Sequence, residues 1–324
     1  MPSISFYQEE LISHLKEKIS VKEPQNLYEP ISYIMNLGGK RLRPALTLLA
    51  TDLLNGDYKQ ALPAALAVEV FHNFSLVHDD ILDDAPLRRG QQTVHEKWDI
   101  NTGILSGDAM LIMAYELLSV YNNPEFKVLI EIFNDTSLKV CEGQQYDIDF
   151  ETREDVTIDE YLKMISYKTA VLIAAALKMG AVIAGSGDEQ QKALFNYGMN
   201  LGIAFQLQDD FLDAFGDASL FGKQIGGDII ENKKTYLYLK AKELGSKAEK
   251  KELADLYSLD PRDPSVKIRV VKEIFHSSGA VDKTREAIGL FTTSAFKELE
   301  HLSDYPGAEE TLRDFGEELM SRED

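Results

Sequence analysis

The stretch ALPAALAVEVFHNFSLVHDDILDD, Ala61–Asp84, predicts one long helix that is apolar on every side until its last two turns. A helix without a polar face has to be buried among other helices. Helical periodicity continues along the rest of the chain, and the alternation typical of strands is nearly absent. Clusters of Gly, Asn, Asp and Pro separate the periodic segments, but no low-complexity linker divides the chain. We therefore predict an all-α fold, a single-domain bundle of ten or more helices over residues 1–324.

The composition limits the class of protein. The chain has 324 residues, 44% of them hydrophobic, which suffices for a large buried core. Its net charge of −20 argues against a nucleic-acid partner, because binding of a phosphate backbone requires a basic surface. Cys141 is the one cysteine, so the sequence contains no disulfide framework and suits a reducing cytoplasm.

Neither the start of the chain nor its most apolar stretch predicts membrane insertion. The start, MPSISFYQEELISHLKEKIS, lacks the basic region and the continuous apolar region of a signal peptide. Lys178 interrupts the apolar run TAVLIAAALKMGAVIAG, Thr169–Gly185, which is also short for a helix that spans a bilayer. We therefore predict a cytoplasmic protein with no integral membrane segment.

The polar end of the first quoted helix carries a motif that recurs once. DDILD, Asp79–Asp83, returns as DDFLD, Asp209–Asp213, and each copy ends a long apolar segment. On an α-helix, positions i, i+1 and i+4 project within an arc of about 100°. Each motif therefore presents three carboxylates on one face: Asp79, Asp80 and Asp83 in the first, and Asp209, Asp210 and Asp213 in the second.

Clustered carboxylates beside an apolar interior are unfavourable unless something neutralises them. Mg²⁺ suits the arrangement, since it takes carboxylate oxygens and commonly binds together with substrate phosphates. The alternative interpretation is a solvated acidic helix end, which fits a chain as acidic as this one. Two copies of the motif on two apolar helices favour a metal site over that alternative.

The few basic residues also cluster, and they do so near the same motifs. GGKRLRP, Gly38–Pro44, carries three cations, and Arg88 and Arg89 follow the first aspartates. Lys168 stands between the motifs, and GKQIGGDIIENKKT, Gly222–Thr235, follows the second. For each cluster taken alone, the alternative interpretation is a solvated basic surface. GGKRLRP is not a P-loop, because no Ser or Thr follows its Lys. Together, the acidic and basic clusters indicate two diphosphate groups with bridging Mg²⁺.

From about residue 25 to about residue 240 the sequence resembles the trans-isoprenyl diphosphate synthases, or polyprenyl synthetases. The resemblance rests on GGKRLRP, LVHDDILDDAPLRRG, YKTA, FQLQDDFLD and GKQIGGDIIENKKT, which occur in the family's order and approximate spacing. It implies a helical bundle around a deep central cavity, a homodimer, and Mg²⁺ as cofactor, with three ions per active site when substrate is bound. It also implies two substrates, isopentenyl diphosphate and an allylic diphosphate such as the dimethylallyl, geranyl or farnesyl ester.

The resemblance assigns a role to each matching position. The main Mg²⁺ ligands would be Asp79, Asp83 and Asp209, with Asp80, Asp210 and Asp213 as further or water-mediated partners and Asp228 beside metal-bound water. The site for isopentenyl diphosphate would consist of Lys40, Arg43, His72 and Arg89. The site for the allylic diphosphate would consist of Arg88, Lys168, Thr169, Gln206, Lys223 and Lys233. The interval from Lys223 to Lys233 is one residue longer than in some relatives, which leaves Lys234 as the alternative to Lys233.

The implied reaction ionises the allylic diphosphate, lets the double bond of isopentenyl diphosphate attack the resulting cation, and ends with loss of a proton. The catalytic residues would be Lys168, Thr169 and Gln206, whose carbonyl and amide oxygens would stabilise the cation. A class I terpene cyclase is one alternative, but it would carry an Asn/Ser/Glu-type second metal motif where this chain has DDFLD. A non-catalytic partner subunit or helical scaffold is another, but it would have lost aspartates or the arginine pair.

The helix before Asp79 also bears on the length of the product. Phe74 and Phe71 lie about 7.5 Å and about 12 Å back along its axis, and Ser75 next to Phe74 is small. A side chain as large as Phe can close the floor of a cavity, and the alternative is that Phe74 is an ordinary core residue that faces a neighbouring helix. An aromatic residue five positions before an uninterrupted DDxxD resembles the short-chain synthases that stop at twenty carbons. We therefore predict geranylgeranyl diphosphate as the product, with farnesyl diphosphate as the alternative.

Overall fold

A computed structural model describes residues 2–216 and 226–321 of the chain. Helices make up nearly all regular structure in these residues, which confirms the all-α prediction. Numbered in chain order, the α-helices are α1 Ile4–Lys18, α2 Gln25–Asn36, α3 Leu42–Leu53, α4 Leu62–Leu82, α5 Val94–Lys97, α6 Ile100–Leu118, α7 Glu125–Thr152, α8 Ile158–Ile165, α9 Val171–Ile183, α10 Asp188–Phe215, α11 Gly227–Ile230, α12 Tyr236–Leu244, α13 Lys247–Leu256, α14 Ser265–Ser277, α15 Ala280–Glu298 and α16 Ala308–Met320. Two 3₁₀ turns lie at Tyr58–Ala61 and Leu299–Leu302, and a π-helix lies at Ser166–Ala170.

The chain divides into two compact units by its internal contacts. Unit 1 consists of Met1–Thr136, Leu172–Phe195 and His301–Ala308. Unit 2 consists of Ser137–Val171, Asn196–Glu300 and Glu309–Asp324. The single-domain organisation that the sequence predicts stays a prediction.

The central helix of unit 1 is α4. It has a proline, Pro63, in its first turn and is buried along most of its length, as its all-round apolarity predicts. It packs mainly against α6 and α3. At Gly107 of α6 a Cβ atom would overlap the ring of His78 on α4, so the glycine leaves room for this ring between the two helices. The close packing fixes the end of α4 that carries the first aspartate motif.

A short β-hairpin follows α4 in unit 1. Strand β1, Leu87–Arg88, pairs antiparallel with strand β2, Gln91–Gln92, so that Leu87 is opposite Gln92 and Arg88 opposite Gln91. Asp84 and Arg89 have positive φ angles of 49° and 53°, which let the chain turn sharply at the helix end and at the hairpin tip. The hairpin thereby folds Arg88 back toward the aspartates.

The core of unit 2 combines side chains from several helices, among them Tyr161 of α8, Leu207 of α10, Tyr238 of α12 and Val271 of α14. A capping box formed by Thr157 and Glu160 fixes the start of α8. The chain continues from α8 directly into the π-helix, a wider helical turn that proteins often place at functional sites.

The structure also bears on the predicted absence of a membrane segment. Among the described residues, Ile158–Ile183 is the one helical stretch long and apolar enough to cross a membrane. However, 72% of its apolar window is buried inside the protein, a degree of burial typical of a core helix.

Candidate active site

The first aspartate motif lies at the C-terminal end of α4. Asp79 and Asp80 are in the last turn, and Asp83 is the residue that caps the C-terminal end of the helix. The side chain of Asp80 is buried, and Nε of Arg88 donates to both of its carboxylate oxygens at 2.8 and 2.9 Å. Nη2 of Arg88 lies 2.6 Å from Asp80 and 4.0 Å from Asp79. Arg88 is therefore bound to the motif itself.

The three carboxylates of this motif differ in exposure. The side chain of Asp80 is 1% exposed, that of Asp79 is 18% exposed, and Asp83 is exposed. Burial raises the pKa of Asp80 above its usual value, although the hydrogen bond from Arg88 partly opposes the shift. The metal-ligand roles of all three aspartates stay predictions. The geometry leaves Asp79 and Asp83, rather than Asp80, accessible to a ligand.

The residues predicted to bind isopentenyl diphosphate lie in unit 1. Nη1 of Arg43 is 3.3 Å from Nε2 of His72. The guanidinium group of Arg89 lies against Gly39, where a Cβ atom would be 2.6 Å from Cζ of Arg89. Gly39 also has a φ of +112°, so this position needs glycine for its conformation and for the space. Lys40 is exposed on the same loop.

The imidazole of His72 is neutral in this cluster. Burial lowers the pKa of His72 well below its usual value, and the nearby cations, Arg43 first, lower it further. A guanidinium group only donates hydrogen bonds, so Nε2 of the neutral ring accepts from Arg43. His72 therefore orients Arg43 without adding positive charge to the cluster.

Unit 2 contains a cavity on which the second set of predicted residues converges. The volume of the cavity is about 690 Å³, which includes its opening to solvent. The predicted residues that line it are Lys168, Thr169, Gln206, Asp210, Asp228 and Lys233. Lys234, the alternative to Lys233, lines it as well. Lys223 lies outside the described residues.

A chain of hydrogen bonds runs along the wall of this cavity. Oγ1 of Thr169 donates to Oε1 of Gln206 at 3.0 Å, and Nε2 of Gln206 donates to Oδ1 of Asp210 at 2.8 Å. The hydroxyl group of Tyr161 donates to the other carboxylate oxygen of Asp210. Both oxygens of Asp210 are thus engaged inside the protein, as both oxygens of Asp80 are in the first motif. In each motif the second aspartate faces inward.

Lys233 and Lys234 have different partners. Nζ of Lys233 lies 2.9 Å from Glu231 and 3.8 Å from Asp228. Burial lowers the pKa of Lys233, but Asp228 and Glu231 outweigh burial and raise it above its ordinary value. Nζ of Lys234 donates to the backbone carbonyl of Glu151 at 2.8 Å. Of the two lysines, Lys233 is the one beside a cavity carboxylate.

The cavity carboxylates have unfavourable surroundings for negative charge. Burial, and then the neighbouring Asp228, raise the pKa of Asp210 well above its usual value. Burial and Asp213 raise the pKa of Asp228 to about 7, and burial raises that of Asp213. A divalent cation would relieve this repulsion, and carboxylate oxygens are the ligands that Mg²⁺ prefers. The donor set of the cavity therefore fits Mg²⁺.

Sequence reasoning missed Gly143, Asp147 and Tyr161. A Cβ atom on Gly143 of α7 would overlap the backbone nitrogen of Lys168 and lie 2.7 Å from the carbonyl carbon of Tyr167. This close approach brings Asp147, one turn further along α7, to within 2.6 Å of Nζ of Lys168. A glycine inside a helical pattern, followed four residues later by an aspartate in EGQQYD, is the signal that could have indicated the contact.

The residues predicted to set product length lie on α4 before the first motif. The ring of Phe71 is 5.5 Å from that of Phe74 and 5.3 Å from that of Phe133 on α7. The ring of Phe74 is 4.9 Å from that of His78, and both phenylalanines are buried. The hydroxyl group of Ser75 donates to the backbone of the preceding turn. The role of these residues in product length stays a prediction.

Two helices that end in paired aspartates, with lysines and arginines close by, are the arrangement expected of all-helical enzymes that bind diphosphate esters with divalent cations. Residues 24–274 match the family model described as Polyprenyl synthetase. The chain belongs to the polyprenyl synthetase family and is a short-chain trans-prenyltransferase. The enzymes of this family depend on Mg²⁺ in general.

Named relatives agree with this assignment over nearly the whole chain. The sequence is 38% identical to geranylfarnesyl diphosphate synthase of Natronomonas pharaonis, in an alignment 326 positions long that covers 95% of this chain and 93% of the relative. A solved geranylgeranyl pyrophosphate synthase is 50% identical, with a TM-score of 0.96 over 99% of both chains. A polyprenyl synthase from Caulobacter crescentus CB15, solved with calcium and isoprenyl diphosphate, is 29% identical, with a TM-score of 0.87 over 99% of this chain and 96% of its own.

Proposed function

We propose that the chain condenses isopentenyl diphosphate with allylic diphosphates, namely the dimethylallyl, geranyl and farnesyl esters, and that its end product is geranylgeranyl diphosphate. The observation that carries the proposal is the cavity of unit 2, where Lys168, Thr169 and Gln206 adjoin the buried carboxylate of Asp210 and the partly buried carboxylate of Asp228. A concave site with convergent polar groups and shifted pKa values is the usual form of an active site.

The proposed cofactor is Mg²⁺, with three ions per active site when substrate is bound. The residues that would hold the ions are Asp79, Asp83 and Asp209 directly, and Asp80, Asp210, Asp213 and Asp228 through water or as further partners. Bound Mg²⁺ supplies positive charge to the leaving diphosphate. The inward hydrogen bonds of Asp80 and Asp210 support their indirect role, because engaged oxygens are less available to a metal ion.

The residues of the unit 2 cavity would bind and ionise the allylic substrate. Lys168 and Lys233 are cations that can stabilise the diphosphate as the C–O bond breaks, and the proposed set is completed by Arg88 and Lys223. The oxygens of Lys168, Thr169 and Gln206 would lie toward the carbon cation. The hydrogen bonds from Thr169 and to Asp210 already fix the Gln206 amide, so its orientation does not depend on a ligand. The released diphosphate would accept the proton that the product loses.

The loop and hairpin cations of unit 1 would bind isopentenyl diphosphate through Lys40, Arg43, His72 and Arg89. Arg43 is oriented by the neutral ring of His72, and Arg89 donates to the loop backbone at Gly38. Guanidinium groups held in this way are suited to bidentate contact with a diphosphate.

The proposed product has twenty carbons, and Phe74 is the proposed floor of the chain-binding cavity. Phe74 is packed between Phe71 and His78, which gives its ring a defined position. The similarity to a solved geranylgeranyl pyrophosphate synthase supports twenty carbons. The relative in Natronomonas pharaonis is named for a longer product, so the length has to be measured.

We also propose a cytoplasmic homodimer built from a single domain. The support for the dimer is an apolar stripe on α6 in unit 1, where Ile100, Ile104, Leu105 and Ile112 are 54%, 43%, 60% and 68% exposed. These positions lie within an arc of about 140° on the helix and therefore face the same side, with the exposed Asp108 between them. Analytical ultracentrifugation of Ile104→Glu with Ile112→Glu should show a monomer where the natural chain is a dimer.

Product analysis tests the proposed reaction directly. The protein is incubated with Mg²⁺, radiolabelled isopentenyl diphosphate and one allylic primer at a time, and the dephosphorylated products are separated by chromatography. The proposal requires labelled geranylgeraniol from each of the three primers. Products without label, or no product from any primer, would exclude the proposed condensation.

A further inference from the structure

The loop between α2 and α3 has an unusual backbone. Gly38, Gly39 and Arg41 have φ angles of 84°, 112° and 46°. The two glycines adopt positive φ angles freely, but for an arginine this region of backbone conformation is unfavourable. Contacts elsewhere must therefore hold Arg41 in place, although the sequence GGKRLRP presents it as one of three equivalent cations.

The side chain of Arg41 turns into the protein, whereas Lys40 remains exposed. The side chain of Arg41 is 6% exposed, and Nη1 donates to Oε1 of Glu69, whose side chain is 2% exposed. Nη2 donates to the backbone carbonyl of Met35 in the last turn of α2, where helix carbonyls have no intrahelical partner. The guanidinium group thus joins the end of α2 to the middle of α4.

The buried pair is completed on α4. Nδ2 of Asn73 donates to Oε1 of Glu69 at 2.7 Å and to the backbone carbonyl of Glu69 at 2.8 Å. Glu69, His72 and Asn73 occupy positions i, i+3 and i+4 of the helix and therefore lie on one face. His72 is the residue that orients Arg43. The pair between Arg41 and Glu69 therefore lies about one helical turn from the contact that holds the next arginine of the loop.

From this geometry we propose that Arg41 is a positioning residue, whose buried ion pair with Glu69 holds the loop in the shape that presents Lys40 and Arg43 to isopentenyl diphosphate. The inference rests on the proposed binding site for that substrate. Arg41 acts through the loop backbone, because its nitrogens bind Glu69 and Met35. A buried ion pair contributes little net stability but fixes a conformation, and breaking it leaves an uncompensated charge.

Glu69→Gln separates this role from direct binding of the substrate by Arg41. The substitution keeps the size of the side chain and an acceptor oxygen but removes the charge that holds the guanidinium group. A positioning role then gives a looser loop and a higher KM for isopentenyl diphosphate. If Arg41 were itself a ligand, release from Glu69 would lower that KM. Arg41→Lys is the second variant, since a lysine keeps the charge but cannot make the two-way contact.

The first measurement is amide hydrogen exchange over residues 37–43 in the substrate-free protein. Both variants should exchange at least about tenfold faster in this segment, because the loop opens locally. The matched control is Glu273→Gln, which removes the same charge from an exposed ion pair with Arg269 on α14 and should leave the segment unchanged. Unchanged exchange in folded Glu69→Gln and Arg41→Lys would overturn the inference, whatever the substrate.

The second measurement is steady-state kinetics with each substrate varied in turn. Both variants should raise the KM for isopentenyl diphosphate about tenfold, since displaced ligands bind poorly, and leave the KM for the allylic substrate within about twofold. Arg43→Ala is measured alongside. If Arg43→Ala raises the KM and Glu69→Gln does not, the positioning role is wrong and the proposed site stands. If neither variant raises the KM for isopentenyl diphosphate, the proposed binding site is wrong, and the positioning role of Arg41 is wrong as well.

Discussion

At the scale of single residues, Asp228 shows how burial and neighbouring charges change the pKa of a carboxyl group in the unit 2 cavity. Burial, together with the neighbouring Asp213, raises its pKa from the usual 3.8 to about 7. A carboxyl group whose pKa is higher in the folded than in the unfolded chain stabilises the fold while it is protonated. In the metal-free protein that contribution is complete below about pH 4 and is lost as the pH rises through about 7.

The melting temperature of the metal-free protein should therefore fall between about pH 4 and about pH 7. Bound Mg²⁺ compensates the ionised carboxylates, so the increase in melting temperature that Mg²⁺ causes should grow across the same interval. Scanning calorimetry with EDTA or with Mg²⁺ measures both quantities. Asp228→Asn should flatten the pH dependence, whereas Asp304→Asn, at an exposed position, should not. An equal Mg²⁺ effect at all pH values would contradict this account of the cavity.

Arg43 is the residue on which separate substrate sites can be tested. Arg43→Ala removes a charge-assisted contact worth roughly 1.5–3 kcal/mol, so the KM for isopentenyl diphosphate should rise about tenfold to hundredfold. The KM for the allylic primer should change little, because the primer is assigned to Arg88 and to the unit 2 cavity. Initial rates with each substrate varied at saturation of the other give both constants. Equal weakening of both substrates would show that the assignment of separate sites is wrong.

At the scale of elements, the close approach of α7 to the π-helix sets the position of Lys168. Gly143 permits that approach, and the contact between Asp147 and Lys168 depends on it. Overpacking of such a contact forces the two backbones apart. A displacement there would move Lys168 and Thr169 together, because both belong to the same short helix.

Gly143→Ala should accordingly destabilise the protein by about 1–3 kcal/mol. It should also lower kcat at least about tenfold, because a small displacement of Lys168 and Thr169, the proposed catalytic residues, is enough to slow the reaction by this factor. Gly289→Ala is the matched control, because a Cβ atom at that position of α15 meets nothing within 4 Å. The control should stabilise the helix by about 0.5–1 kcal/mol and leave kcat unchanged. Urea unfolding and initial rates measure both effects, and similar behaviour of the two variants would refute the steric argument.

The product-length prediction belongs to α4 as an element. Phe74→Ala should lengthen the product by at least one five-carbon unit, because removal of a packed aromatic ring leaves space for a longer chain. Chromatography of the dephosphorylated products measures the length. Ile12→Ala, at an exposed position of α1, is the control and should leave the length unchanged. An unchanged distribution from a folded and active Phe74→Ala variant would reject Phe74 as the floor and direct attention to Phe71.

At the scale of the whole molecule, the sequence predicted what depends on local pattern. All-round apolarity predicted the burial of α4, and helical periodicity predicted an all-α chain, because both are properties of neighbouring residues. The aspartates and cations could be proposed as site residues because charges beside apolar helices require a reason and because their motifs resemble those of a known family. The hairpin after Asp84 has strands of only two residues, which are too short for the local pattern to specify.

The remaining features depend on tertiary packing and could not be predicted. The inward orientation of Arg41, unlike Lys40 beside it, follows from Glu69, which is 28 positions away in the chain. The contact between Asp147 and Lys168 depends on the close approach of α7 to the π-helix at Gly143. No spacing rule within one helix contains that information.

The central claim is that both aspartate motifs hold the metal ions of one condensation reaction. The most direct test is the turnover of radiolabelled isopentenyl diphosphate with farnesyl diphosphate and saturating Mg²⁺ in the natural chain, in Asp79→Ala and in Asp209→Ala, with folding checked by circular dichroism. Loss of one electrostatic stabiliser predicts that each variant loses at least about 10²-fold in turnover while it remains folded. Near-normal turnover in either folded variant would contradict the claim.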